Sequence, residues 1–140
     1  MNRERKGIRP YLSAYLAVVV TFLVIDAIWL FTMTSRFYGP QLGDLLRPDP
    51  NLTVAAIFYL LYAMAVVILA SAPAALAGSI GRSLFLGAVL GLAAYGTYDI
   101  TNLATIKGWP TIVAVVDILW GMSLTAICGL AGCLAFGRKR

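Results

Sequence analysis

Three aspartates lie within long apolar stretches of this 140-residue chain, and they are the side chains best suited to chemistry. Asp26 occurs in LVIDAIWLF, Asp99 in YGTYDITN and Asp117 in VVDILWG. An ionisable group inside an apolar segment is costly to bury, so it points to a functional site. Carboxyl groups in such surroundings can carry protons, bind cations or accept hydrogen bonds from a polar headgroup.

Two of the aspartates share a local pattern, because Asp26 and Asp117 each precede a tryptophan by three residues, Trp29 and Trp120. Residues three apart share a face of a helix. We therefore expect both tryptophans to wall the layer that holds the carboxylates. A location of Trp29 in the aromatic belt at the membrane interface is the alternative.

The predicted site extends to polar and aromatic neighbours of the aspartates, which can donate hydrogen bonds to them. Thr97 is a further candidate donor, whereas Tyr38 and Trp109 are expected to be interfacial belt residues. The predicted ligand-binding or proton-binding residues are Asp26, Trp29, Tyr95, Tyr98, Asp99, Asn102, Asp117 and Trp120.

The composition identifies the elements that must position these groups. Hydrophobic residues make up 61% of the chain and charged residues 12%, whereas soluble domains are about half apolar and about a quarter charged. These values predict an integral membrane protein. The net charge of +5 is then a topology signal that suits anionic membrane lipids, and no nucleic-acid partner is expected.

Four apolar stretches approach or exceed the ~20 residues that cross a bilayer as helix. We predict an all-α fold, a four-helix transmembrane bundle in one domain spanning residues 1–140. The predicted helices cover about 12–34, 52–72, 83–104 and 110–136, with an outer loop at 35–51 that has room for a short interfacial helix around Gln41 to Leu46. Pro73 is expected to end the second helix, because proline disrupts a helix interior.

Basic residues predict the orientation. Eight lie at the two termini or in the loop around Arg82, and three, Arg36, Arg47 and Lys107, lie on the other side. The positive-inside rule places both termini in the cytoplasm. With ~1.5 Å of rise per residue, each aspartate falls roughly 5 to 10 Å from the bilayer middle toward the outer side.

Small residues recur every four positions in the third and fourth spans and predict close helix packing. One row holds Gly87 and Gly91, leading to Tyr95 and Asp99, and the other follows Asp117 with Gly121 and Gly129. Such rows let helix backbones approach each other in lipid. The two helices are therefore expected to form an antiparallel pair with both aspartates at its outer end.

The residue inventory argues against several kinds of chemistry. The chain has no histidine, the most common metal ligand and general base. Cys128 and Cys133 are five residues apart on one predicted helix, which is not a ligand spacing, so they are interpreted as small packing residues. No metal and no cofactor are expected.

The string TYDITNLATIKGWP (97–110), with VDILWG, DAIWL and FYGP, resembles the DUF2177 family, small four-helix membrane proteins of bacteria. The resemblance covers nearly the whole chain. It implies the bacterial inner membrane but no established activity. Members often neighbour genes for fatty-acid modification, which implies lipid chemistry. The matching motif residues are Tyr98, Asp99, Thr101, Asn102, Lys107, Gly108, Trp109 and Pro110.

Three functions fit these patterns. The first is binding or transport of protons or of a small amphipathic, lipid-like molecule at the outward-leaning polar site. The second is a non-catalytic accessory subunit for a lipid-modifying enzyme, and a homo-oligomer is also open. The third is an intramembrane enzyme with paired aspartates as acid and base, which the absence of histidine and of a metal constellation disfavours. A purely structural polar knot joining three helices is the fourth interpretation of the same residues.

Overall fold

The computed structural model describes residues 7–137 and is all-helical there, with no strand. Within these residues, four helices are long and apolar enough to cross a membrane: α1 (Arg9–Leu45), α2 (Leu52–Leu76), α3 (Ile80–Thr105) and α4 (Thr111–Phe136). The sequence prediction of an all-α chain with four such helices is confirmed. The side chains of Asn51 and Ser79 cap the starts of α2 and α3 by accepting hydrogen bonds from backbone N–H groups.

Helix α1 is longer than the sequence pattern predicts. Most of the predicted outer loop at 35–51 is helical, through a π-helical turn at Thr34–Tyr38 and short turns ending at Leu45. In the π-turn the Gly39 N–H bonds to the carbonyl of Thr34, five residues back. Pro40 is the next residue after Gly39. In a regular α-helix its ring would clash with the carbonyl four residues earlier, and the widened turn lies at that position. Helical turns therefore occupy most of the region where a short helix was expected, but they continue α1 instead of lying apart from it in a loop.

Helix α2 repeats this arrangement. A π-turn at Val67–Ser71 precedes Ala72 and Pro73, and the helix continues to Leu76 instead of ending at residue 72 as predicted. This turn also makes a polar contact with α4, because the buried Ser71 hydroxyl donates a hydrogen bond to the Gly129 carbonyl at 3.0 Å. Each of these two helices therefore has a π-turn before its proline and continues beyond it.

Helix α4 lies at the centre of the bundle and packs against the other three helices. Its closest approach is to α3, where glycines replace side chains. A Cβ on Gly87 would lie 2.7 Å from the backbone of Ala126, and one on Gly91 would overlap the backbone of Gly121. Gly129 is less crowded, with its nearest neighbour at 3.3 Å from the position of a Cβ. Backbone contact between α3 and α4 therefore depends on the absence of Cβ atoms at these positions.

The two ends of the bundle differ in packing. The start of α1 meets the end of α4, where the rings of Tyr11 and Phe136 are 4.9 Å apart. Small buried residues fill this half, among them Ala14, Ala70 and Ala74, each fully buried. Both described chain ends therefore lie at the same end of the bundle. Most terminal basic residues used to predict orientation, in 1–6 and 138–140, lie outside the described residues.

Candidate functional site

The opposite half of the bundle holds a cavity of about 550 Å³ between all four helices. It lies near the end of α1, the start of α2, the end of α3 and the start of α4. Cavities of this size accommodate small organic ligands. The lining residues are Asp26, Trp29, Leu30, Thr34, Tyr38, Leu42, Leu46, Ala55, Phe58, Tyr59, Ala94, Tyr95, Tyr98, Trp109, Val113, Asp117 and Trp120.

Asp26 is buried, with 7% of its surface exposed, and both of its oxygens accept hydrogen bonds. Tyr59 of α2 donates its hydroxyl to one oxygen at 2.8 Å. Trp120 of α4 donates its indole N–H to the other at 3.2 Å. Two donors from two different helices therefore satisfy this carboxyl group.

Asp117 is half-buried and accepts a hydrogen bond from the hydroxyl of Tyr38, which the π-turn of α1 carries. The Tyr38 oxygen in turn accepts the indole N–H of Trp29 at 3.0 Å. Trp29 and Trp120 stack face to face, with ring centroids 4.0 Å apart and planes 9° from parallel. The two tryptophans thus form one shared wall between the carboxyl groups.

The repeated Asp-x-x-Trp pattern is explained by this crossed arrangement. Because α1 and α4 are antiparallel, the tryptophan of each helix lies beside the carboxyl group of the other. Trp120 bonds Asp26 directly, and Trp29 reaches Asp117 through Tyr38. The pattern therefore describes a reciprocal contact between two helices.

Asp99 differs from the other two aspartates. Its side chain is fully buried, and neither of its oxygens makes a hydrogen bond of standard geometry among the described residues, although Asp117 and Trp109 are close enough to interact with it. It lies beside Asp117 and Trp109 without lining the cavity. Within residues 7–137, no lysine or arginine is a neighbour of Asp99 or Asp117. A buried carboxyl group without a cation or a well-formed hydrogen bond is expensive, and none of the described lysines or arginines lies in this layer.

The other predicted site residues of α3 have mixed positions. Tyr95 lines the cavity and covers Gly121, and Tyr98 packs edge-on against Trp109 with ring centroids 5.8 Å apart. Asn102 is half-buried and does not line the cavity. The Thr97 hydroxyl donates to the carbonyl of Ala93 in its own helix at 2.5 Å, so the expectation that Thr97 holds an aspartate was wrong.

Several residues of the site were not selected from the sequence. Tyr38 was assigned to an interfacial belt, but its hydroxyl bonds Asp117. Its position depends on the continued helix and π-turn, which the residue pattern did not indicate. Trp109 lines the cavity as well, and its buried indole N–H makes no hydrogen bond of standard geometry among the described residues. Tyr59 lies at the right depth in α2, but only the packing of α2 against α1 directs its hydroxyl to Asp26.

The arrangement suits non-covalent binding of a polar group. It offers two carboxyl groups at the cavity wall, hydroxyl groups and a set of aromatic faces. In residues 7–137 no three histidine, cysteine or acidic side chains are grouped as metal ligands. Cys128 and Cys133 are buried and form no disulfide with each other.

The fold and this site define a class of protein, a compact four-helix membrane protein with a carboxylate and aromatic network inside the bundle. A family model described as predicted membrane protein (DUF2177) matches residues 11–134. The chain therefore belongs to the DUF2177 family, as the resemblance implied. No curated protein and no solved structure matches the chain significantly.

Proposed function

We propose that this protein binds a small amphipathic, lipid-like molecule in the cavity between its four helices. The observation that carries the proposal is the cavity of about 550 Å³ whose lining is apolar and aromatic except for Thr34 and the groups around Asp26 and Asp117. Ligand sites commonly combine an apolar lining with a few polar groups that set orientation. The polar end of the ligand would lie against the carboxyl groups, and its apolar part would contact the remaining wall.

The surroundings of the cavity favour a ligand that comes from the membrane. Leu30 and Phe58 line the cavity while 41% and 49% of their surfaces remain exposed. These residues lie on helices long enough to cross a bilayer, so their exposed faces meet lipid. A molecule that partitions into lipid would reach the cavity laterally, between helices.

The proposal includes a location and an orientation. We place the protein in the bacterial inner membrane, with both termini in the cytoplasm and the cavity in the outer half of the bilayer. The eight-to-three distribution of basic residues supports this orientation. Lipids and their derivatives are then the partners within reach of the site.

The test compares two adjacent alanines of α3. Ala94 lines the cavity, whereas Ala93 is exposed on the surface of the same helix and does not line it. Ala94→Phe fills part of the cavity, whereas Ala93→Phe adds the same ring outside it. Each protein would be purified in a mild detergent and examined by native mass spectrometry for bound small molecules.

We expect a bound amphiphile on the wild type and on Ala93→Phe, and loss of most of it on Ala94→Phe. Circular dichroism would check that both variants remain helical. Equal amounts of bound molecule on all three proteins would contradict the proposal, as would a wild type that carries none and binds no added amphiphile.

A further inference from the structure

We propose that the ligand is a lipophilic cation, an amine or quaternary ammonium group on a single apolar chain. This inference rests on the proposed function and names the charge of the molecule. Three carboxyl groups lie in or beside the cavity wall, and none of the described residues that line it is a lysine or arginine. A cation is the partner that this distribution of charge lacks.

Asp117 is the group best placed to meet the cation. Asp26 already accepts hydrogen bonds at both oxygens, from Tyr59 and Trp120. Asp117 lines the cavity and has one hydroxyl donor, Tyr38. Its neighbour Asp99 is fully buried and makes no hydrogen bond of standard geometry among the described residues. A positive charge beside Asp117 would therefore compensate two neighbouring carboxyl groups at once.

The aromatic lining of the cavity also favours a cation. Eight of the seventeen lining residues are aromatic, including all three tryptophans of the chain. Aromatic faces attract ammonium groups, and quaternary ammonium ligands are recognised by cages of such rings. An anionic headgroup would meet carboxyl groups and ring faces of the same sign, which disfavours it.

A second hollow gives room for the apolar chain. It measures about 290 Å³, lies between α1 and α2, and shares Ala55 and Tyr59 with the main cavity. Its remaining lining is wholly apolar, namely Val19, Phe22, Leu23, Leu52, Ala56 and Leu60. The head of the ligand would lie by Asp117, and its chain would pass Tyr59 into this hollow.

The experiment uses the tryptophans as reporters. Because all three line the cavity, quenching of tryptophan fluorescence measures occupancy of this site directly. The probes are decyltrimethylammonium, decanol and decanoate, each carrying the same bromine on the chain close to the head group, so that the quencher lies among the tryptophans when the head lies by Asp117. They would be titrated into the full-length protein in lipid nanodiscs, with concentrations corrected for partition into empty nanodiscs.

We expect the cation to bind at least about tenfold more tightly than decanol, which corresponds to about 1.4 kcal/mol, and decanoate to bind most weakly. Asp117→Asn should remove most of this preference while decanol still binds. Asp49→Asn, on an exposed loop residue, is the matched control and should leave all three affinities unchanged.

The outcomes separate the two proposals. Equal binding of the three probes, or tighter binding of decanoate, would overturn the cation inference and leave the amphiphile site intact. Absence of saturable quenching by every probe would overturn the site itself. If Asp117→Asn does not fold, the order of the three probes on the wild type still decides the inference.

Discussion

Asp26 and Asp99 are both buried aspartates, but the number of donors that reach them differs. Asp26 accepts hydrogen bonds from Tyr59 and Trp120, whereas Asp99 accepts none of standard geometry from the described residues. A satisfied carboxyl group joins helices, and an unpartnered one weakens the fold. The same substitution should therefore act in different ways at the two positions.

Asp26→Asn should destabilise the protein by about 1–3 kcal/mol, because an amide nitrogen cannot accept one of the two hydrogen bonds. Asp99→Asn changes a group that makes no hydrogen bond of standard geometry among the described residues, so the free energy of unfolding should fall less than in Asp26→Asn. Unfolding in mixed detergent micelles, followed by circular dichroism, measures both. Greater loss of stability in Asp99→Asn than in Asp26→Asn would contradict this account of the network.

Trp120 and Trp109 also differ in the hydrogen bonding of their indole N–H groups. The Trp120 N–H bonds Asp26, but the buried Trp109 N–H makes no hydrogen bond of standard geometry among the described residues. Trp120→Phe should therefore lower the free energy of unfolding by about 1–2 kcal/mol more than Trp109→Phe, since only the former leaves an acceptor unpaired. The same unfolding assay checks it, and equal losses in the two variants would show that the Trp120 hydrogen bond contributes nothing.

At the scale of helices, glycines determine how closely α3 and α4 approach. Gly91 faces the backbone of Gly121, while Gly96 on the same helix meets only side-chain atoms at 3.8 Å or more from the position of a Cβ. Both are buried glycines in one helix, so they form a matched pair. They differ in whether the neighbouring atoms can move.

Gly91→Ala should destabilise the protein by about 1–3 kcal/mol, because the added methyl group forces the two backbones apart. Gly96→Ala should be neutral or stabilising by up to ~1 kcal/mol, since alanine favours helix over glycine. Thermal unfolding of the purified proteins measures both changes. If Gly91→Ala is as stable as Gly96→Ala, the close crossing of α3 and α4 is wrong.

Two prolines are associated with the π-turns of α1 and α2. Pro40 and Pro73 each follow a π-turn and an intervening residue, and both helices continue beyond them. The first π-turn carries Tyr38 to Asp117, and the second carries Ser71 to the Gly129 carbonyl. Both widened turns therefore contribute a hydroxyl group to the packing between helices. π-Turns within α-helices occur frequently at functional sites.

For the whole molecule, the ends of the bundle should face opposite sides of the membrane. Asp49 lies in the loop before α2, and Ala77 lies in the loop after it; both are exposed. With the proposed orientation, a membrane-impermeant maleimide added outside cells should label Asp49→Cys and should label Ala77→Cys only after lysis. The native Cys128 and Cys133 are buried and should give little background. The reverse pattern would invert the proposed orientation.

The sequence alone was sufficient for the class of protein, the family, the number of long helices and the glycine rows of α3 and α4. Composition and period-four patterns are local properties, and they carry this information directly along the chain. It also singled out Asp26, Asp117, Trp29 and Trp120, because an ionisable group stands out in an apolar helix.

Only the tertiary structure decided which donor reaches which carboxyl group. Tyr38 meets Asp117 because a widened turn and a continued helix carry it there, and Trp120 meets Asp26 because α1 and α4 pack antiparallel. Asp99 has the same residue type and a similar predicted depth, yet it makes no hydrogen bond of standard geometry among the described residues and does not line the cavity. A helical pattern specifies the face on which a side chain lies, but its hydrogen-bond partner depends on the rotation and register of the neighbouring helices, which packing of the whole bundle sets.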